Sequence, residues 1–415
     1  MFSFKIPQVK RAPSTPDSPR KRPVGPMGVL AVATVTAVAI GFGTVPRASA
    51  AHDSATAPSG SSSNVGIRPA ETDVATVRVS PAPSQQRRAD TKRLRVGTQF
   101  HGVWTSYDDT ERAAVLDNLK RMGAKWVRID LSWAMLQPKN GSSYDMAWGV
   151  PFVDRIIKMA HERDLKVLGM LWLTPDWARP TNGPRSSPAD PGDYARALAW
   201  AAKRWEGQVR SWEVWNEPNS SDFWVGASPQ QYTRLLCAGY RAVQKSGSNA
   251  GIVFGGTVHN DVDWIARAYD AGAKGCFDRM ATHPYVGPAN ASPASGGDND
   301  PWDFNRIGAV RRLMLSHGDR SPIWLTEFGW SSHANTGKEQ PWNMGVTEQQ
   351  QASYTVAALK LLRERYPYVT AAFIYNEREK ETSDVHQNGY GIMRANTSPK
   401  PVYSAVKRYL ARNGL

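Results

Sequence analysis

Two glutamates sit in surroundings that suit chemistry. In Trp212-Glu213-Val214-Trp215-Asn216-Glu217-Pro218-Asn219 the residues alternate as in a strand up to Asn216, and Pro218 ends the pairing. Glu217 therefore lies at a strand's C-terminal end, beside an amide and aromatic rings. Further along, Pro322-Ile323-Trp324-Leu325-Thr326-Glu327-Phe328-Gly329-Trp330 repeats the form: Glu327 ends an apolar run and meets a Gly turn among aromatics. A lone Glu beside a proline is usually a solvated loop residue. Two, at two strand ends and in the company of rings that suit the C–H faces of a sugar, point to the paired carboxylates that cleave glycosidic bonds.

That chemistry makes opposite demands on the two groups. One carboxyl must deliver a proton to the leaving oxygen, and an apolar surround with a neighbouring negative charge keeps it protonated. Trp215 and the second carboxylate offer Glu217 both influences, so Glu217 is the expected proton donor and later base. The other must stay ionised to attack the anomeric carbon, which positive or donor groups favour. Glu327 is the expected nucleophile, and Arg128, in Trp126-Val127-Arg128-Ile129-Asp130, is its expected partner. Pairing of Arg128 with Asp130 or a surface acid is the alternative. The spacing of Cys, His and Asp shows no metal cluster, and this chemistry needs neither metal nor cofactor. The stretch Asp298-Asn299-Asp300 reads as a solvated loop sooner than a calcium site.

Something must hold these strand ends together. From Leu94 onward, strand-like and helix-like runs alternate, which argues for a parallel sheet. Eight strands are expected, at Arg95–His101, Lys125–Leu131, Lys166–Leu173, Val209–Asn216, Gly251–Val258, Arg279–Tyr285, Ile323–Phe328 and Ala371–Asn376. The helices between them have readable starts: Asp108/Asp109, then capping boxes at Ser228-Pro229-Gln230-Gln231 and Thr347-Glu348-Gln349-Gln350. Eight β/α units predict an α/β fold, the (β/α)8 TIM barrel, with both glutamates on its C-terminal face. An open doubly wound sheet is the rival, weakened because no glycine-rich phosphate fingerprint follows the first strand. The longest insertions are expected after strands three and six, at Pro180–Pro191 and Gly287–Asp303.

Composition bounds the rest. The 415 residues are 41% hydrophobic and include 16 Trp, enough for a large core with aromatics to spare. The net charge of +14 invites a nucleic-acid reading, but residues 1–93 carry 13 Lys/Arg against 5 Asp/Glu, and the remainder 38 against 32. The basicity is largely a property of the tail, so no nucleic-acid partner is expected. Residues 1–50 read as an export signal: basic residues, an apolar run from Met27 to Val45, then Ala48-Ser49-Ala50 as a cleavage site. An uncleaved membrane anchor facing outward is the alternative. Residues 51–93 have no aromatic side chain and read as a disordered linker. The catalytic domain is expected over 94–415, as a monomer outside the cytoplasm. There the two cysteines, Cys237 and Cys276, either form a disulfide or remain as buried thiols.

With these motifs in order, the chain resembles retaining glycoside hydrolases of the clan with a (β/α)8 barrel and glutamates ending strands four and seven. Within that clan it is similar to families 39 and 5, which include β-xylosidases, cellulase-like enzymes and bacterial exopolysaccharide hydrolases. Asn216-Glu217-Pro218 matches the acid/base signature, whose Asn holds the sugar 2-hydroxyl, and Thr326-Glu327-Phe328-Gly329-Trp330 resembles the nucleophile strand. His283-Pro284-Tyr285 matches the sixth-strand motif whose Tyr hydrogen-bonds the nucleophile. Arg128 matches the second-strand Arg, and Thr174-Pro175-Asp176-Trp177 resembles the end of the third strand. The likeness covers about 94–410. It implies cleavage of an extracellular, β-linked polysaccharide or oligosaccharide by double displacement, with Asn216, Arg128, His283 and Tyr285 around the sugar. Trp177, Trp330 and His101 are further residues expected at the substrate. One departure is plain: many clan members end the eighth strand with a Trp, whereas this chain reads Phe373-Ile374-Tyr375-Asn376-Glu377-Arg378, so Tyr375, Trp330 or Trp342 is expected in its place. Transglycosylation and a non-catalytic glycan-binding barrel are the rival functions.

Overall fold

Strand and helix alternate from the first residue described. The computed structural model describes residues 94–415 apart from Thr105, Ser142, Asn182, Ala227 and Glu381. The expected signal (1–50) and linker (51–93) lie outside the described residues. The first half runs β1 (Arg95–Gln99), α1 (Asp109–Met122), β2 (Trp126–Ser132), α2 (Trp133–Leu136), α3 (Gly149–His161), β3 (Lys166–Trp172), α4 (Pro191–Arg204) and β4 (Val209–Val214). Next come α5 (Pro229–Lys245), β5 (Gly251–Val253), β6 (Thr257–Val258), α6 (Val262–Asp270), β7 (Met280–His283) and α7 (Ile307–Ser316). The chain ends with β8 (Ile323–Phe328), α8 (Glu348–Arg365), β9 (Val369–Ile374), α9 (Val385–Gly389) and α10 (Pro401–Arg412).

The strands form one parallel sheet in the order β5-β4-β3-β2-β1-β9-β8-β7-β6. The expected fifth strand, Gly251–Val258, is real but broken in two. Its first piece, β5, pairs with β4, and its second, β6, pairs with β7. A bridge from Val253 to Arg279 closes the ring. The fold is therefore the (β/α)8 barrel. Besides the loops around Pro180–Pro191 and Gly287–Asp303, the connection after β9, residues 375–400 with α9 inside it, is longer than either expected insertion.

Local chemistry explains the helix starts. Asp108 accepts from Glu111 N–H and Glu111 reaches back, a capping box that opens α1. Thr347 and Gln350 form the same reciprocal pair at α8. At α5 only half the expected box forms: Ser228 accepts from Gln231 N–H, with Pro229 in the first turn, but Gln231 does not return the bond. Such caps are worth about 1 kcal/mol each.

Inside the barrel, below the site, Trp126, Leu168, Val253, Ala281, Trp324, Ala371 and Phe373 form a separate apolar layer. Trp126 and Trp324 meet edge to face with centroids 5.4 Å apart. Gly97 makes room for this layer, because a Cβ there would lie 2.7 Å from the Phe373 ring. Truncating either Trp to Ala would cost about 3–5 kcal/mol. A larger shell packs the helices on the outer faces of the strands. Cys237 of α5 and Cys276, just ahead of β7, form a disulfide with Cα atoms 4.7 Å apart. Among the described residues no helix is long and apolar enough to cross a membrane.

Candidate active site

The C-terminal ends of the strands bring the two glutamates together. β4 stops at Val214, two residues before the expected end, because Trp215 takes a left-handed backbone (φ 69°) and Glu217 a second (φ 43°). Non-glycine residues held there are strained by about 1–3 kcal/mol each, a cost that clusters at functional sites. Trp215 is held by its ring, which is buried and donates Nε1–H to the Phe223 carbonyl at 3.0 Å. Glu217 N–H donates to the Gly256 carbonyl, in the break between β5 and β6, at 3.0 Å.

On the seventh barrel strand the register slips. Leu325 pairs with Ala372 and Phe328 with Ile374, so β8 carries one more residue than β9 over that stretch. Strict alternation would send Thr326 and Glu327 to opposite faces. The extra residue lets both reach the interior. One oxygen of Glu217, one of Glu327 and a ring nitrogen of His283 consequently lie within 4.8 Å of one another.

Arg128 organises the floor. From β2 its Nη1 donates to Glu327 Oε1 at 2.6 Å and to Gln99 Oε1 at 2.8 Å. Its Nη2 donates to Asn216 Oδ1 at 2.7 Å and its Nε to Glu213 Oε2 at 2.6 Å. The Tyr285 hydroxyl donates to the other Glu327 oxygen at 2.8 Å. His283 Nδ1 lies 2.8 Å from Glu217 Oε1, and its Nε2 lies 3.0 Å from Thr326 Oγ1. Glu217 Oε2 is buried with no hydrogen-bond partner.

These partners divide the two carboxyls. Burial, then the charge of Glu327, pushes Glu217 well above the usual carboxylate range, with only Arg128 opposing. Burial raises Glu327 too, but the Arg128 charge and the Tyr285 hydrogen bond pull it back. Because the pair titrates together, the proton belongs first to the pair and settles on the carboxyl with fewer donors, Glu217. Tyr285 is itself raised well above its ordinary value, by burial and then by Glu327, so it remains a hydroxyl donor. Burial and the Arg128 charge hold His283 well below its usual range, leaving the imidazole neutral.

A second polar group lies where strands one, two and eight end. Buried Glu377 accepts from His101 N–H at 3.0 Å, His101 Nδ1 at 2.9 Å and the Tyr107 hydroxyl at 3.0 Å. Lys380 Nζ sits 3.8 Å from the centre of the Trp104 ring and 3.2 Å from His101 Nε2. Tyr375 stands at the end of β9 with its ring edge-on to Tyr390 and His101 (centroids 5.5 and 5.6 Å). His101, expected at the substrate, has both ring nitrogens engaged by protein groups.

Other sequence expectations are redirected. Trp330 is 2% exposed, donates to the Ala291 carbonyl at 2.8 Å and packs as a core ring against Phe304 and Tyr354. Trp177 is half-buried and tied through Nε1 to the Gln137 carbonyl at 2.9 Å, with its ring edge-on to the buried Trp133. Four residues of the site carried no expectation: Glu213, Thr326, Gln99 and Glu377. For Glu213 the signal was present, since alternation from Ser211 sends Glu213 inward on β4. Among the described residues, Glu217, His283 and Glu327 are also the one grouping dense enough to hold a metal ion. Their facing atoms already hydrogen-bond one another, Arg128 and Tyr285, which is the wiring of a proton-handling group.

A parallel (β/α)8 barrel with facing glutamates at the ends of its fourth and seventh barrel strands is the architecture at hand. The chain belongs to family 39 of the glycosyl hydrolases, whose model matches residues 202–414 and so takes in Glu217, His283, Tyr285 and Glu327. It is 25% identical over 216 residues to a β-xylosidase of Caldicellulosiruptor saccharolyticus. That match takes in 50% of this chain and 43% of the relative, so the chain spans less than half the relative's length. A family 39 glycoside hydrolase from the gut symbiont Bacteroides cellulosilyticus has the same fold, with a TM-score of 0.60 and 23% identity over 77% of this chain and 64% of the other. So does a monomeric β-xylosidase from Caulobacter crescentus, at a TM-score of 0.55 and 19% identity over 76% and 66%.

Proposed function

We propose that the protein is a retaining glycosidase that cleaves β-linked polysaccharide or oligosaccharide outside the cell. The observation that carries this reading is the close approach of Glu217 and Glu327, oxygens within 4.8 Å, with unequal partners. Retaining enzymes hold their carboxyls about 5–5.5 Å apart, and inverting ones leave about 6.5–9.5 Å for a water. Glu217 protonates the leaving oxygen while Glu327, held by Arg128 and Tyr285, attacks the anomeric carbon. Glu217 then takes a proton from water, whose oxygen displaces Glu327 from the glycosyl-enzyme. Asn216, with its carbonyl taken by Arg128, turns its NH2 toward the sugar 2-hydroxyl.

The β linkage follows the β-xylosidase names of two relatives. Export is supported by the basic, apolar and small-residue order of the N-terminus and by the Cys237–Cys276 disulfide, a bond of oxidising compartments. The partner is a carbohydrate, bound by a monomer.

The test uses the full chain, a panel of β-linked aryl glycosides and plant and bacterial polysaccharides, and the variants Glu217→Gln and Glu327→Gln. Cleavage of one substrate, lost in both variants, with product released in the substrate's own anomeric configuration by NMR, is the expected result. Inversion would overturn the double displacement. Binding of a glycan without cleavage would move the protein to the glycan-binding class.

A further inference from the structure

We propose that Thr326 and Glu213, neither of which reaches the substrate, fix the tautomer of His283 and through it keep the resting proton on Glu217. This rests on the acid/base reading of Glu217 above.

The argument is a count of hydrogens. Glu213 Oε1 accepts from Gly256 N–H at 2.9 Å, and Oε2 accepts from Arg128 Nε at 2.6 Å. Ion-paired with Arg128, Glu213 offers acceptors only, so the Thr326 hydroxyl, 2.8 Å from Oε1, is the donor in that contact. A hydroxyl has one hydrogen. With it spent on Glu213, the 3.0 Å contact between Thr326 Oγ1 and His283 Nε2 needs its hydrogen from the ring. A neutral imidazole carries one N–H. Nδ1 then presents a lone pair, 2.8 Å from Glu217 Oε1, and that contact is a hydrogen bond only when Oε1 holds the proton.

Ionising Glu217 places a carboxylate oxygen against that lone pair. The ring has two escapes. Becoming an imidazolium is opposed by burial and by Arg128. Swapping tautomer requires Thr326 to turn its hydrogen away from Glu213. The remaining groups facing the pair are Glu327, Tyr285, Arg128, His259 and Asp222. Arg128 and Tyr285 donate to Glu327 instead, His259 Nδ1 faces the Tyr285 carbonyl at 3.0 Å, and Glu327 and Asp222 bring acceptors. Gly256 fits the same plan: a Cβ there would lie 2.1 Å from His283 Nε2 and 2.6 Å from Thr326 Oγ1. The glycine leaves the space in which ring and hydroxyl meet.

Two measurements on the full chain test this. Long-range ¹⁵N–¹H NMR of histidine-labelled wild type at neutral pH should show His283 protonated at Nε2 and bare at Nδ1. The reverse tautomer, or an imidazolium, overturns the proposal whatever the enzyme's activity. In Thr326→Val the ring is released to donate from Nδ1 to an ionised Glu217. The basic limb of kcat/KM should then move to lower pH by about one unit, the worth of one hydrogen bond. Thr326→Ser should keep the wild-type limb. A folded Thr326→Val enzyme with an unmoved basic limb also overturns the proposal. Should Glu217→Gln leave activity intact, the acid/base reading falls, while the tautomer result still stands or falls alone.

Discussion

Arg128 and Glu213 are joined beneath the cleft by a 2.6 Å hydrogen bond, both side chains shielded from solvent, and the same guanidinium reaches Glu327 at 2.6 Å. The pair therefore couples stability to reactivity. Removing the cation leaves two buried carboxylates uncompensated, so Arg128→Met should lose about 3–5 kcal/mol of unfolding free energy, read by urea denaturation. Glu327 also loses the charge that favours its ionised form, so its pKa rises and the acid limb of kcat/KM moves to higher pH. Arg128→Lys keeps the charge without the fork and should fall between the two. An acid limb that stays in place in a folded Arg128→Met enzyme would detach Arg128 from Glu327.

Truncating each glutamate separates the two chemical steps. With an activated aryl leaving group, Glu217→Ala should still form the glycosyl-enzyme, because that step no longer needs the acid. Release of the sugar needs the base, so kcat should fall by about 10²–10⁴, and KM should fall with it as the intermediate accumulates. Added azide should restore turnover and yield a glycosyl azide of the substrate's own configuration. In Glu327→Ala, azide in place of the nucleophile should give the opposite configuration. NMR of the two products checks both.

How much of this was legible beforehand depended on what one strand reveals alone. Glu217, Glu327, His283 and Tyr285 lie at or just beyond strand ends and Arg128 lies inside β2, and the alternation of apolar residues locates these strands well. What alternation cannot supply is its own breakdown. The left-handed Trp215 and Glu217 shorten β4, the slip in β8 turns Glu327 inward beside Thr326, and Gly255 and Gly256 split the fifth strand. Each depends on a partner from a distant strand: Gly256 is glycine because of His283 and Thr326. The core packing of Trp330 was hidden for a similar reason, since a ring after a strand end faces cleft or core according to loops that single-strand periodicity does not see. Glu377 followed the expected eighth strand, but its partners, His101 and Tyr107, come from the other end of the chain.

The disulfide should matter to stability and not to chemistry. Cys237 and Cys276 are 39 residues apart in sequence and join α5 to the turn before β7, away from the strand ends that hold the glutamates. Closing a loop of that size restrains the unfolded chain by about 4 kcal/mol in the chain-entropy model. The double variant Cys237→Ala/Cys276→Ala should melt several degrees lower while kcat/KM at 25 °C is unchanged. A thermal melt beside the aryl glycoside assay checks it, and an equal loss of activity would place the disulfide in the support of the site.

Glu377 should make the barrel sensitive to acid in a defined window. Burial alone would raise this carboxyl, but the charge and hydrogen bond of His101, then Lys380, outweigh it and hold it at about 2. Its unfolded value is about 4.3. A depressed folded pKa contributes stability that is complete above the unfolded value and is lost as pH falls toward the folded one. The difference corresponds to about 3 kcal/mol at neutral pH. Glu377→Gln keeps the shape and gives up the charge, so the stability gap between wild type and variant should be of that order at pH 6. It should narrow steadily from about pH 4.3 toward pH 2. Urea midpoints at pH 6, 4 and 3 measure it. A gap that stays constant across those values would mean that Glu377 holds His101 and Tyr107 by shape and neutral hydrogen bonds, with no contribution from its charge.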